Sequence, residues 1–182
     1  RIIHNYLSCQ MKEIEEGNDI CPVGLEEKLD VEIELDGVKV RLYGVADRID
    51  MYNGVLRVVD YKTGKAEENE VKITEPENTV EALFSPDTKF SKRPKIAFQL
   101  FAYDRFMEKD LKGYRVQNVI YPVQKLFSSG IMSGMSNAEF NDLVEEKLGG
   151  IFAELVSPEM DFRRAEDLET CKYCDFRKIC GR

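Results

Sequence analysis

The sequence predicts an α/β (α+β) domain built on a mixed β-sheet, in which an antiparallel three-strand meander is flanked by helices. Three observations predict it. Leu29, Val31, Ile33 and Leu35 alternate with Lys28, Asp30, Glu32 and Glu34, the pattern of a half-exposed strand. Asp36-Gly37 and Asn53-Gly54 sit between apolar runs, and both dipeptides are strong hairpin signals. Further on, Ile96, Leu100, Tyr103 and Met107 recur at i, i+4, i+7 and i+11, which is helical spacing.

In chain order, residues 1–15 read as a helix with Ile3, Tyr6 or Leu7, and Ile14 on its apolar side, broken by Gly17-Asn18-Asp19. Strands follow at about 26–35, 38–51 and 55–63. Residues 65–95 are polar, carry Pro76, Pro86 and Pro94, and read as a long loop. The helix of 96–107 comes next, then a strand from Arg115 to Val123 with Pro122 near its end. Leu126 to Ser136 reads as a flexible connection. Ser136-Asn137-Ala138-Glu139 has the form of a capping box, and the helix behind it buries Phe140, Leu143, Val144, Leu148, Ile151 and Leu155. Residues 1–170 read as one domain and 171–182 as a cysteine-bearing tail, in which Tyr173 and Phe176 pack locally.

The 182 residues fit one domain with a sizeable core, and a 43% hydrophobic fraction is that of a folded chain. The net charge of −8 argues against a protein that coats DNA by electrostatics alone, which needs clustered Lys and Arg. An enzyme that gathers carboxylates around a divalent metal stays open, because the ion supplies the positive charge. No apolar run reaches the roughly 20 residues that span a bilayer and no secretory signal is visible, so a cytoplasmic protein without a membrane partner is expected. Arg1 opens the chain with a helix already under way, so it reads as a fragment of something longer. Cys9, Cys21, Cys171, Cys174 and Cys180 favour metal binding over disulfides.

The turn signals fix a register. With Asn53-Gly54 as loop residues, facing positions sum to 107 and Asp47 lies opposite Asp60. With Asp36-Gly37 as the first loop they sum to 73 and Glu26 lies opposite Asp47, unless a bulge, for instance at Gly44, shifts it. Lys62 shares the face of Asp60, two residues away. Carboxylates opposed on a sheet repel. Either Arg48 and Lys62 neutralise them on an exposed face, or a divalent cation sits between them; the metal reading is preferred. Gln99 and Tyr103 are neighbours on one helix face. Lys92, Arg93 and Lys95 belong to a local basic run that is either solvated or in contact with phosphate.

Gly44-Val-Ala-Asp47-Arg-Ile-Asp50, Asp60-Tyr-Lys62-Thr-Gly64 and Gln99-x3-Tyr103 together resemble the RecB-like branch of the PD-(D/E)XK nuclease superfamily. The tail Cys171-x2-Cys174-x5-Cys180 is similar to that of its AddB-type and other iron–sulfur members. The resemblance covers about residues 26–182, although Ala46 stands where the signature proline would be. It implies a restriction-endonuclease-like core and a Mg²⁺- or Mn²⁺-dependent deoxyribonuclease. Asp47 and Asp60 would hold the metal, Lys62 would be the signature lysine, and Gln99 and Tyr103 the accessory motif. Glu26, or His4 as the sole histidine, would be a further ligand. The three tail cysteines imply a [4Fe–4S] cluster whose fourth thiolate is Cys21, Cys9 or lies outside the fragment; a zinc site is the alternative. The implied function is the exonuclease domain of a RecB/AddB-like helicase–nuclease in DNA repair or recombination. It would act on single-stranded DNA or duplex ends beside a helicase domain or subunit. A catalytically silent DNA-binding scaffold and a stand-alone CRISPR-adaptation nuclease are the alternatives.

Overall fold

The computed structural model describes residues 2–64, 66–110, 116–123, 132–135, 137–161, 164, 166 and 168–182. Five strands, β1 (Ile20–Leu35), β2 (Val38–Tyr52), β3 (Val55–Lys62), β4 (Val116–Pro122) and β5 (Met132–Met135), form one sheet in the order β1-β2-β3-β4-β5. All neighbours are antiparallel except β3 and β4, which run parallel. A parallel pair needs a long crossover, and here it includes helix α4 (Lys95–Asp110). This is the mixed sheet with a three-strand meander that the turns predict.

Both hairpins form as expected. Asp36 and Asn53 have φ of 48° and 50°, and Gly37 and Gly54 follow at 79° and 78°, the positive pair that a two-residue primed turn requires. The sum of 107 holds along the β2–β3 ladder, from Tyr52↔Val55 to Arg48↔Val59. The sum of 73 holds from Leu35↔Val38 to Glu27↔Ala46 and again at Leu25↔Arg48. The anticipated bulge is not at Gly44. The register shifts between Pro22 and Gly24, and Glu26 takes a left-handed backbone at φ 50°. β1 starts at Ile20, earlier than its alternation shows, because residues 20–25 pair with the far end of β2 where no polar–apolar period is imposed.

One face of the sheet is covered by α4. Ile96, Leu100, Tyr103 and Met107 are all buried against Ala46, Ile49, Leu56, Val58 and Ile120. Along β2 the residues in this cluster switch from even positions, Leu42 and Ala46, to odd ones, Ile49 and Met51. That switch falls at Ala46–Asp47, beside the left-handed Glu26. A second cluster joins α4 to α3 (Pro76–Phe84) and α5 (Ala138–Val156) through Val80, Leu83, Ala97, Phe101, Phe140 and Val144. Leu143 and Leu148 pack on it as expected, whereas Leu155 is 47% exposed.

Four expectations change. Residues 65–95 are not a loop: they carry α2 (Glu68–Val71), α3 and a 3-10 turn at Phe90–Lys92. Pro76 starts α3 rather than disrupting structure, since its fixed φ suits the first helical turn. The α5 N-cap is Asn137, whose side chain accepts from the Phe140 N–H at 3.0 Å; asparagine caps as well as serine does, and Ser136 lies outside the described residues. Much of the expected 126–136 connection also lies outside them, but Met132–Met135 is strand β5. In the tail, α6 (Leu168–Cys171) is followed by turns, and Tyr173 and Phe176 are 84% and 67% exposed rather than packed.

The opposite face is covered by α1 (Ile2–Glu15), and not by its apolar stripe. Ile3, Leu7, Met11 and Ile14 are exposed. Tyr6, Cys9 and Gln10 face the sheet instead, Tyr6 and Cys9 against Val59, Tyr61, Val119 and Tyr121. Hydrogen bonding thus sets the helix's rotation against its hydrophobic pattern. No described helix is long and apolar enough to cross a membrane.

Candidate active site

At the end of β3 the chain presents Asp60 and Lys62 toward α4, and the second and third turns of α4 present Gln99 and Tyr103 toward them. Asp60 is 4% exposed. Its Oδ1 accepts from Gln99 Nε2 at 2.6 Å and from the Tyr103 hydroxyl at 3.1 Å. Gln99 Nε2 also donates to the Tyr103 oxygen at 2.7 Å, and Gln99 Oε1 accepts from Lys62 Nζ at 2.5 Å. Lys62 Nζ lies 2.8 Å from Asp60 Oδ2, an ion-pair distance, but Oδ2 is buried and no hydrogen bond of good angle reaches it. Gln99 therefore clamps both members of the Asp60–Lys62 pair. The four side chains predicted to act together do meet.

Asp47 joins them from β2. It is half-buried, and its Oδ2 accepts from the Tyr61 backbone N–H at 2.8 Å, one residue beyond Asp60. The ladder pairs end at Arg48↔Val59, and the Asp47 carboxylate bonds the β3 backbone just past that point. Burial raises the Tyr103 hydroxyl above its ordinary range, and the nearby Asp60 and Asp47 charges add to the rise. Tyr103 thus stays a proton-bearing donor to Asp60.

Glu26 and His4 are not brought into this group. Glu26 is exposed, and its left-handed backbone interrupts the row it was expected to share with Asp47. His4 is exposed near the start of α1 and makes none of the site's contacts. The basic run flanks the start of α4. Lys92 is exposed, Lys95 Nζ sits 3.5 Å over the Phe90 ring, and Arg93 donates to the Thr88 and Ser85 carbonyls, stapling its own loop. Lys92, Arg93 and Lys95 line a groove of about 370 Å³ with Glu67 and Glu70.

Of the two cations weighed for the carboxylate row, Lys62 lies beside Asp60 and Arg48 does not reach it. Arg48 points through the opposite face, where its Nη2 abuts Asp50. Asp50 is fully buried and takes Arg57 Nε and Nη2 at 2.7 and 2.9 Å. Burial works against the charge on Arg48, but Asp50 foremost holds that guanidinium above its usual pKa. Sequence reasoning left this second cluster unassigned, although the sum of 107 already places Asp50 opposite Arg57.

A divalent ion fits the front face on two observations. Asp60 Oδ2 is a buried carboxylate oxygen without a hydrogen bond, and Asp47, on the adjoining strand, adds a second hard oxygen donor group. Among the described residues, however, no group of three or more His, Cys, Asp or Glu is gathered for a metal ion, and this includes Cys171, Cys174 and Cys180. The three thiols lie in successive turns, with the Cys174 N–H donating to the Cys171 carbonyl.

The family model of the PD-(D/E)XK nuclease superfamily matches residues 3–181, and the chain belongs to that superfamily. No curated protein matches the sequence. Among solved structures it is similar to one described as the crystal structure of SSO0001. The identity is 14% and the TM-score 0.36, over 97% of this chain and 67% of the other. The superfamily implies a phosphodiester-cleaving nuclease with DNA as its substrate and a divalent metal such as Mg²⁺.

Proposed function

We propose that the chain is a Mg²⁺- or Mn²⁺-dependent deoxyribonuclease, the exonuclease domain of a RecB/AddB-like helicase–nuclease acting in DNA repair or recombination. The observation that carries this reading is Asp60. It is held through one oxygen by Gln99 and Tyr103, while its buried second oxygen has no hydrogen bond and lies beside Lys62.

Asp47 and Asp60 would hold the metal. The chemistry such an ion would supply there is polarisation of the scissile phosphate and a lowered pKa for a water, the source of a nucleophile at neutral pH. Lys62 donates one N–H to Gln99, lies at ion-pair distance from Asp60 and is a quarter exposed, so a remaining N–H can orient that water or meet charge developing on the phosphate. Gln99 positions Lys62 and Asp60 and transfers no proton. Tyr103 keeps Asp60 turned. Lys92 and Lys95, at the start of α4, are suited to the DNA backbone, whereas Arg93 is engaged within its loop. Residues 1–170 are read as the nuclease and 171–182 as its tail.

The intact protein should cut single-stranded or end-bearing DNA with Mn²⁺ or Mg²⁺, stop in EDTA, and lose cleavage on Asp60→Ala or Lys62→Ala. Unchanged cleavage by both variants would sink the assignment. The Cys171-x2-Cys174-x5-Cys180 spacing supports a [4Fe–4S] cluster completed by a further thiolate. Iron and acid-labile sulfide should then accompany the anaerobically prepared protein; stoichiometric zinc without iron would overturn that part.

A further inference from the structure

The geometry points to Tyr6 as a positioning residue for the metal site, acting from the far side of the sheet through Tyr61 on Asp47. This rests on the metal-dependent reading above and extends it to residues that touch neither metal nor DNA.

Among the described residues, no side chain clamps Asp47 as Gln99 and Tyr103 clamp Asp60. Its carboxylate is aimed by the Tyr61 N–H, so its direction depends on where the backbone at Tyr61 lies. On the β2 side that stretch of β3 lies past the last ladder pair, and β4 supports its other edge through Tyr61↔Tyr121. What holds Tyr61 on the far face is its own side chain. Its hydroxyl bonds the Tyr6 hydroxyl at 2.8 Å, and its ring meets Tyr6 edge-on at 5.4 Å and Tyr121 at 5.6 Å.

Tyr6 is in turn fixed. Its oxygen accepts from Arg48 Nη1 at 2.5 Å, and Arg48 is the residue after Asp47. Arg48 is held by Gln10 Oε1 at 2.9 Å and by Asp50, which Arg57 grips from the next strand. Gln10 also reaches the Tyr121 hydroxyl at 3.2 Å. Tyr6 therefore ties together the chain on both sides of the Asp47–Tyr61 hydrogen bond: Arg48 after the carboxylate and Tyr61 at the donor. Loss of its hydroxyl releases both while the ring still fills its place. This arrangement also accounts for α1 turning Tyr6 and Gln10 inward and leaving Ile3, Leu7 and Met11 exposed.

Partners that orient a metal ligand at second hand typically alter metal affinity about 10–100-fold when removed. The test is calorimetric titration of the intact protein with Mn²⁺ alone, without DNA, for wild type, Tyr6→Phe, Tyr61→Phe, the double variant and Asp60→Asn. Tyr6→Phe and Tyr61→Phe each remove one half of the same hydrogen bond and should each weaken Mn²⁺ about tenfold. The double variant should be little worse than either, because the two hydroxyls act as a unit. A Tyr6→Phe protein with a lower melting temperature but wild-type Mn²⁺ affinity would show a merely structural tyrosine and overturn the positioning role. Wild type and Asp60→Asn binding Mn²⁺ equally would instead remove the metal site itself, and the positioning role with it.

Discussion

Two aspartates on neighbouring strands, Asp50 on β2 and Asp60 on β3, have opposite fates, and the difference lies in what faces them. Asp50 is sealed between Arg48 and Arg57 and has no oxygen to offer a ligand. Asp60 is just as deeply placed but keeps Oδ2 without a hydrogen bond, beside a lysine that remains partly exposed. Asp50→Ala should therefore cost stability, about 3–5 kcal/mol, because it strands two buried guanidinium groups. Denaturant unfolding would check this, with a loss below about 1 kcal/mol counting against it. Gln99→Ala should leave folding largely intact and lower the cleavage rate about 10–100-fold, since it frees both Lys62 and Asp60 from their shared clamp. Single-turnover kinetics on DNA would measure that loss.

Among the elements, the β2–β3 hairpin carries the most weight. Asn53-Gly54 sets the sum of 107 that puts Asp47 at the end of the ladder facing Asp60. A one-residue slip would move every side chain of one strand to the other face. Gly54 has φ 78° and open space around its Cα, so Gly54→Ala meets no clash and only backbone strain, about 1–2 kcal/mol. Thermal unfolding should register it; an unchanged melting temperature would contradict the turn assignment. This hairpin and α4 were legible because turn dipeptides and a 3.6-residue period are local signals. The rotation of α1 was not. Its apolar stripe points to solvent because Tyr6 and Gln10 hydrogen-bond across 38 or more residues of sequence, to Arg48, Tyr61 and Tyr121. Residues 65–95 read as a loop in sequence for a different reason: prolines at helix starts look like breakers until the partner surface is known.

For the whole molecule, the proposed reading asks an acidic chain to bring positive charge to a phosphate locally, and Lys62, the start of α4 and a metal ion would be its sources. The candidate site was largely readable because its members come as two pairs set by simple spacing, Asp60 and Lys62 on one strand face and Gln99 and Tyr103 on one helix face. Glu26 sits between pairs that keep the expected register, yet its left-handed backbone leaves it exposed and outside the group, a backbone choice that side-chain alternation does not encode. A further consequence concerns pH. Burial raises the hydroxyl pKa of Tyr6, Tyr103 and Tyr121, that of Tyr121 to about 12. The unfolded chain releases these protons near pH 10, roughly the ordinary tyrosine value, while the folded chain keeps them. Stability should therefore be fully present below about pH 10 and fall as pH rises above it; denaturant midpoints at pH 8 and pH 11 would test the sign.

The most direct test of the central claim is the rate of DNA cleavage against Mn²⁺ concentration for the intact protein and for Asp60→Asn. A saturable Mn²⁺ dependence in wild type that collapses in Asp60→Asn is the predicted result. Cleavage by Asp60→Asn at the wild-type rate, or wild-type cleavage that persists in excess EDTA, would contradict it.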